Sequence, residues 1–270
     1  MIKKLIMAAA AASFWMSLSA FAAEHQPLDP NRLALPKEAS VLITVEGRGL
    51  NAAVTAYVRE AAAGAETEGA AQSAFSQTAS QAAADSIQNN LGKAQAETAE
   101  PGPWRQVLRT ADGRLGRKGL GKEREGDQKT PIGVFKMNTP FGIRAKEEGF
   151  PDNYLQVSPD LYWDGDSDSS RYNKLVNIRD YTDFNKKESE HLSDYVGYYD
   201  YAIDTGYNPE GIAGKGSALF LHCSVEGKNT GGCIAIPTED MKAILRLYQE
   251  GRTYIAIAPE GEFATFYRVE

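Results

Sequence analysis

A histidine and a cysteine lying 11 positions apart are the residues of this sequence best suited to chemistry. His222 follows the apolar run 218–221, and Cys233 stands directly before a second apolar run that begins at Ile234. A thiolate is a strong nucleophile, and a neighbouring imidazole is the usual base that produces it near neutral pH. Two apolar runs separated by polar residues and glycine predict two strands joined by a loop. The sequence therefore predicts that an imidazole and a thiol meet at one end of a sheet.

The residues that precede Cys233 favour chemistry at a carbonyl carbon. Gly231 and Gly232 have no side chain that could obstruct a substrate. We expect the N–H groups of Gly232 and Cys233 to face a developing oxyanion. The sequence thus predicts acyl transfer, with Cys233 as nucleophile and His222 as general base and acid.

This stretch resembles the signature of the L,D-transpeptidases of bacterial cell walls, which share a catalytic domain of the YkuD type. The signature reads His, a spacer, Ser/Thr-His-Gly-Cys and an apolar residue, and it is matched in order by His222, Thr230, Gly232, Cys233 and Ile234. The sequence departs from the signature in a shorter spacer, in Gly231 at the place of the second His, and in Ala235 at the place of an Arg or Asn.

Two earlier segments carry the same resemblance. Residues 130–135, Thr-Pro-Ile-Gly-Val-Phe, are similar to the Thr-Pro-x-Gly-x-Phe strand entry of the family. Trp163-Asp164, followed by Tyr172-Asn173, is like a segment that some members carry between that strand entry and the signature. Three matches in the right order identify the chain as a member of this family.

The resemblance implies a fold, a substrate class and further site residues. The fold is α+β and mostly β, a YkuD-like sandwich or sheet with a few helices and an Ala-rich insertion. The substrate is the stem peptide of peptidoglycan, and no metal or other cofactor is required. Cys223, directly after the His, occupies the position whose backbone carbonyl often orients the imidazole. Candidates for substrate binding are Thr230, Gly231, Tyr172 and Asn173, although Tyr172 and Asn173 are equally suited to holding a turn.

Three functions remain open at this point. The first is L,D-transpeptidation through a thioacyl enzyme, and the second is an L,D-carboxypeptidase or another peptidoglycan amide hydrolase on the same fold. The third is a module without enzymatic activity that binds the wall or senses redox state through Cys223 and Cys233. An even cysteine count in an exported protein often indicates a disulfide, whereas nucleophilic attack needs a free thiol. Zinc is a weaker alternative, because His222 and the two cysteines supply only three of four ligands.

The first residues and the charge indicate where the protein works. Residues 1–22 combine Lys3 and Lys4, an apolar stretch and a small-residue cleavage site, Ala20-Phe21-Ala22, which predicts a signal peptide. The apolar stretch is too short for a membrane span, so we expect no stable span after cleavage and an exported protein of the periplasm or cell envelope. A formal net charge of −7 without clustered Lys and Arg disfavours nucleic-acid binding.

The remaining pattern divides the chain into four parts. After the signal peptide, residues 23–60 hold a lead segment and the first strands of the catalytic domain, with a strand at 41–45 and either a hairpin partner or a short helix at 51–59. Residues 61–100, of which 14 are Ala, form a low-complexity insertion or linker. Residues 101–270 form the catalytic domain. Within it we expect a helix capped by Thr238 and a last strand at 253–258.

Overall fold

The structure is a computed structural model, and it describes residues 28–59 and 101–268. The expected signal peptide at residues 1–22 and the Ala-rich segment at residues 61–100 lie outside the described residues. In the part that is described, no helix is both long and apolar enough to span a membrane.

Strands dominate the described chain. In chain order they are β1 Val41–Arg48, β2 Asn51–Arg59, β3 Trp104–Arg114, β4 Gly133–Lys136, β5 Pro140–Gly142, β6 Leu155–Gln156, β7 Leu161–Trp163, β8 Leu175–Asn177, β9 Glu190–His191, β10 Ala202–Asp204, β11 Phe220–Cys223, β12 Ile234–Ile236 and β13 Thr253–Pro259. The helical elements are α1 Thr238–Leu247 and four short 3-10 helices at Pro30–Arg32, Ile178–Asp180, Leu192–Asp194 and Phe263–Phe266. The predicted fold class, mostly β with little helix, is confirmed.

Ten of these strands form one large sheet in the order β4-β13-β1-β2-β3-β12-β11-β10-β5-β6. For residues 51–59 the sequence allowed either a strand or a short helix, and the structure shows a strand. This strand, β2, pairs with β1 as an antiparallel hairpin in which Val45 faces Val54. β2 also pairs with β3, and Arg59 stands opposite Trp104. Residues 60–103 therefore join two neighbouring strands of the same sheet.

Side chains on both faces of the sheet are buried, because successive residues of a strand point to opposite sides. From β1, Val41, Ile43 and Val45 enter a core cluster that includes helix α1. Leu42, between them, enters a second cluster with Trp104 and Tyr254. This explains why β1 reads as a continuous apolar run rather than as an alternating one.

Helix α1 packs on the sheet through one apolar stripe, as its spacing predicts. Met241, Ile244 and Leu245 are buried in the same cluster as Leu221 of β11. The prediction that Thr238 caps the helix is wrong, since Thr238 is its first residue and Pro237 holds the cap position without a side-chain hydrogen bond. β12 ends at Ile236, so only Pro237 separates the strand from the helix.

A small second sheet, in the order β8-β7-β9, covers one end of the large sheet. Trp163 of β7 and Leu192 pack against Phe220 of β11 and against Cys233 in a third apolar cluster. This packing brings residues 161–199 over the end of the large sheet where the signature residues lie.

Candidate active site

His222 and Cys233 lie on two adjacent strands of the large sheet. β11 and β12 are parallel, with Leu221 opposite Ile234 and His222 opposite Ala235. Cys233 immediately precedes β12, so the two signature residues come to neighbouring positions at one edge of the strands. Both line a single cavity of about 380 Å³. The structure therefore brings the imidazole and the thiol to one site, as their flanking apolar runs predict.

The hydrogen bond of His222 decides which ring nitrogen can act as a base. Nδ1 of His222 lies 2.8 Å from the carbonyl oxygen of Cys223. A carbonyl oxygen can only accept, so Nδ1 carries the proton and Nε2 keeps its lone pair. Burial lowers the pKa of His222 to about 4, and the hydrogen bond to Cys223 opposes this only in part. The imidazole is neutral near pH 7 and is oriented by the residue that the family resemblance indicates.

The thiol of Cys233 is held by two backbone groups, one in the first residue of β11 and one just before that strand. Its Sγ donates to the carbonyl oxygen of Ala218 at 3.3 Å and accepts from the N–H of Phe220 at 3.3 Å. Burial, together with a smaller effect of the negative charge of Glu190, raises the pKa of Cys233 to about 12. Cys233 is therefore a protonated thiol, not a preformed thiolate.

Ala218 has a backbone conformation that L-residues rarely adopt, with a φ of +52°. The side-chain oxygen of Asn173 accepts a hydrogen bond from the Ala218 N–H at 3.1 Å and another from the Trp163 indole at 2.8 Å. The carbonyl of Ala218 is the acceptor for the Cys233 thiol. Asn173 thus stabilises the peptide unit that orients the thiol.

Thr230 holds the turn that presents Cys233. Its hydroxyl donates to the Cys233 carbonyl at 2.7 Å and accepts from the Gly232 N–H at 3.1 Å. The Gly232 N–H, which the sequence predicts at an oxyanion site, donates here to the Thr230 hydroxyl. Thr230 and Gly231, both predicted to bind substrate, line the cavity.

Tyr172 and Asn173, also predicted as substrate-binding residues, do not line the cavity. Both are buried, and the Tyr172 hydroxyl donates to Glu125 and accepts from the Gly216 N–H at 3.0 Å. The side-chain nitrogen of Asn173 donates to the carbonyls of Tyr207 and Asn208 at 2.9 and 2.8 Å. They form a layer behind the cavity wall, because these internal hydrogen bonds use their polar atoms.

The two cysteines lie on different faces of the sheet. His222 faces the cavity, so the next residue of the strand, Cys223, points to the opposite side and packs in the cluster of helix α1. Cys233 packs in the cluster beneath the small sheet, and both thiols are free. This separation also prevents His222, Cys223 and Cys233 from surrounding one metal ion.

The cavity also contains charged residues that lie outside the sequence motifs. Arg117, Lys122, Glu125 and Glu190 all contribute to its lining. Lys122 forms an ion pair with Asp127 at 3.0 Å, with only 2% of its side chain exposed. Glu190 stands in a charged stretch that is typical of a solvated surface, so the sequence does not indicate that it belongs to the site. Its pairing in β9 with Trp163 brings it to the cavity.

The family assignment from sequence agrees with this geometry. Residues 104–257, more than half of the chain, match the family model described as YkuD, the L,D-transpeptidase catalytic domain. The chain belongs to this family, whose members act on the peptidoglycan of the cell wall.

Two bacterial proteins are among the solved structures that match part of this chain. The helical cell shape determining protein Pgp2 of Campylobacter jejuni is 12% identical, with a TM-score of 0.39 over 82% of this chain and 48% of that chain. Bd1075 of Bdellovibrio bacteriovorus is 12% identical, with a TM-score of 0.36 over 82% of this chain and 48% of that one. The chain thus spans about half the length of these structures. No protein of curated function matches the sequence significantly.

Proposed function

We propose that this protein is an L,D-transpeptidase that transfers acyl groups between peptidoglycan stem peptides through a thioacyl enzyme on Cys233. The observation that carries the proposal is the hydrogen bond from Nδ1 of His222 to the Cys223 carbonyl, at 2.8 Å. It leaves Nε2 as a proton acceptor in the cavity that Cys233 also lines. A nucleophile, a base and a group that orients the base are the minimum set for covalent acyl transfer.

The acylation step couples proton transfer to attack. Because His222 is neutral and Cys233 is protonated near pH 7, the thiol proton moves from Sγ to Nε2 as sulfur attacks the substrate carbonyl. The new C–S bond gives a tetrahedral oxyanion. The imidazolium then returns its proton to the leaving nitrogen, the C–N bond breaks, D-alanine departs and a thioester remains on Cys233.

The oxyanion donor follows from the hydrogen bonds of the turn. Since the Gly232 N–H is directed at Thr230 Oγ1, the N–H of Cys233 is the donor that we assign to the oxyanion. In the second half of the reaction, neutral His222 takes a proton from the acceptor. An amine acceptor gives a cross-link or an attached protein, and water gives a shortened peptide.

The site of action is also part of this proposal. The family acts on the cell wall, and residues 1–22 have the composition of a signal peptide. We infer that these residues direct export, that they are removed, and that residues 101–270 together with the strands in 23–60 make up the exported catalytic domain. Mass spectrometry of protein isolated from the envelope tests this, with an amino terminus near residue 23 as the expected result.

The activity itself is tested with defined tetrapeptide muropeptides and the mature protein under mild reductant. We expect dimers cross-linked through the third residue of the donor, formed by the native protein and absent from a Cys233→Ala control. Formation of tripeptide without dimers would indicate an L,D-carboxypeptidase instead of a transpeptidase. A Cys223→Ala protein is the matched control, since this thiol faces the core and its removal leaves both the nucleophile and the carbonyl of residue 223 in place. Equal products from the native and Cys233→Ala proteins would refute covalent catalysis.

A further inference from the structure

Glu190 is a carboxylate of the cavity that the acylation mechanism does not use. It lies in β9, where it pairs with Trp163 of β7, and its side chain lines the cavity with His222 and Cys233. The hydroxyl of Tyr199 donates to Oε2 of Glu190 at 2.6 Å. The other carboxylate oxygen of Glu190 receives no hydrogen bond from any residue in the described ranges, 28–59 and 101–268. One oxygen is therefore anchored and the other is available to a ligand.

This position is electrostatically unfavourable for a site that must form a thiolate. Burial is the main reason why the pKa of Glu190 is raised to about 7; the hydrogen bond from Tyr199 opposes this in part, and the nearby Glu125 carboxylate contributes to the rise. The charge of Glu190 is in turn the largest cause, after burial, of the raised pKa of Cys233. A negative charge here opposes negative charge on sulfur unless a cation accompanies it.

The cations that line the cavity are not paired with Glu190, although the positive charge of Lys122 offsets part of the rise in the pKa of Cys233. Within the described ranges they are Lys122 and Arg117, and Lys122 forms its ion pair with Asp127 at 3.0 Å. Neither forms an ion pair with Glu190 there. Tyr199 provides a neutral hydroxyl, which positions the carboxylate without cancelling its charge.

We propose that Glu190 is a specificity-determining residue, whose carboxylate receives an ammonium group carried by the acyl-donor peptide. The inference rests on the proposed function and names a feature of its substrate. Transpeptidation needs stem peptides with an amino group to act as acceptors. Since donors and acceptors are the same kind of peptide, the donor brings this amino group into the cavity as well. A charge-assisted hydrogen bond to Glu190 then selects peptides with a free amine.

This contact would also couple recognition to reactivity. An ammonium group beside Glu190 offsets the charge that disfavours sulfur anion formation, so attack by Cys233 becomes easier when the correct peptide is bound. A peptide without the positive charge occupies the same cavity but leaves Glu190 uncompensated. We therefore expect that peptides with and without the positive charge differ in the rate at which they acylate Cys233, and not only in how tightly they bind.

The experiment measures acylation of Cys233 by intact-protein mass spectrometry, which needs a donor but no acceptor. Three donor tetrapeptides are compared. They differ in the side-chain amine proposed to contact Glu190, which is free, dimethylated or acetylated. Dimethylation keeps the positive charge while adding bulk, whereas acetylation removes the charge. For the native protein we expect the free and dimethylated peptides to react at least about tenfold faster than the acetylated peptide.

Two variants assign this discrimination to Glu190. Glu190→Gln keeps the shape and removes the charge, and we expect it to acylate with all three peptides at rates within about twofold. Glu188→Gln is the matched control, because Glu188 is exposed, lies two positions away and is not part of the cavity lining; it should discriminate like the native protein.

The possible failures are distinguishable. If the native protein acylates all three peptides equally, or if Glu190→Gln still discriminates, the role of Glu190 is refuted while the proposed function stands. If Cys233 of the native protein is acylated by none of them, the proposed function fails and this inference fails with it. The comparison of peptides on the native protein decides the first case even if Glu190→Gln does not fold.

Discussion

At the scale of single residues, the candidate site contains two neutral groups, the imidazole of His222 and the thiol of Cys233, that line the same cavity. His222 is 3% exposed and Cys233 is 6% exposed, and burial moves their pKa values away from each other, to about 4 and about 12. A resting ion pair of thiolate and imidazolium is therefore disfavoured. In the proposed mechanism, one proton is therefore transferred at the moment of attack, and the rate depends on the orientation of His222.

The lowered pKa of His222 predicts a pH dependence of stability. Because the folded-state pKa of about 4 lies below the reference value of 6.5, the unfolded chain binds the proton more readily between these values. The contribution is fully present above pH 6.5 and is lost as the pH falls towards 4. A His222→Gln protein lacks this group. As the pH is lowered from 6.5 to 4, its unfolding free energy should therefore fall by about 3 kcal/mol less than that of the native protein.

Urea unfolding of both proteins at a series of pH values tests this. Glu190, whose pKa is raised to about 7, contributes with the opposite sign, since its stabilisation is lost as the pH rises through that value. The same Glu190 is present in both proteins, so the comparison largely removes its effect. Parallel curves for the two proteins would show that His222 does not titrate as described.

The two glycines before Cys233 should respond differently to a methyl group. Gly232 has a φ of +150°, and a Cβ there would lie 3.0 Å from the Lys129 carbonyl oxygen and 3.2 Å from the Leu219 side chain. Gly232→Ala should destabilise the protein by roughly 1 to 3 kcal/mol and slow acylation of Cys233. At Gly231 a Cβ meets no atom within 4 Å, so Gly231→Ala is the matched control.

Thermal unfolding and acylation rates measured on both alanine variants check this prediction. A Gly231→Ala protein should remain within about 0.5 kcal/mol of the native stability. Equal losses in the two variants would contradict the conformational requirement at Gly232.

At the scale of elements, the site depends on a support layer behind β11. Residues 161–177 bring Trp163 and Asn173 to the strand, and Asn173 connects them to Ala218, whose carbonyl accepts from the thiol. Asn173 itself has a φ of +59°, a conformation that asparagine tolerates better than most residues. The segment between β7 and β8 therefore positions the Cys233 thiol through the side-chain amide of Asn173.

Replacing Asn173 with alanine should weaken both the fold and the site. The change leaves the Trp163 indole N–H and the Ala218 N–H without their buried acceptor, which should cost about 2 to 4 kcal/mol. The orientation of Cys233 should loosen, so the acylation rate at saturating peptide should fall about tenfold or more. Asn185→Ala is the matched control, because Asn185 bonds Asp166 in the same region without touching Ala218.

Denaturant unfolding and acylation kinetics provide the measurements. The acylation rate of the Asn173→Ala protein should be lower than that of the native protein even under conditions in which the variant is fully folded. A stability loss with an unchanged acylation rate would leave Asn173 as a purely structural residue.

At the scale of the whole molecule, the Ala-rich segment interrupts the sequence of the sheet but not its hydrogen bonding. Arg59 at the end of β2 and Trp104 at the start of β3 are paired across the hairpin. The ends of the connecting residues 60–103 are thus adjacent in space, and β1 and β2 are integral to the sheet although they precede the family match.

A short Gly-rich linker should therefore replace residues 61–100 without disturbing the sheet. Closing a shorter loop costs less entropy, so the unfolding free energy should be unchanged or higher by roughly 1 to 2 kcal/mol. Thermal unfolding and the tetrapeptide assay check the outcome. Loss of folding would mean that the segment stabilises the sheet, and loss of activity alone would assign it a role with substrate.

The sequence alone determined the family, the mostly β fold, the presence of His222 and Cys233 at one cavity, and the apolar stripe of α1. These features come from local patterns, namely apolar runs, helical spacing and a short motif, which are read directly from neighbouring residues. The tertiary structure decided that Thr230 takes the Gly232 N–H, that Asn173 supports the site from behind, and that Glu190 joins the cavity. Sheet pairing brings these residues together from distant parts of the chain, and no local pattern records which side chains will then meet.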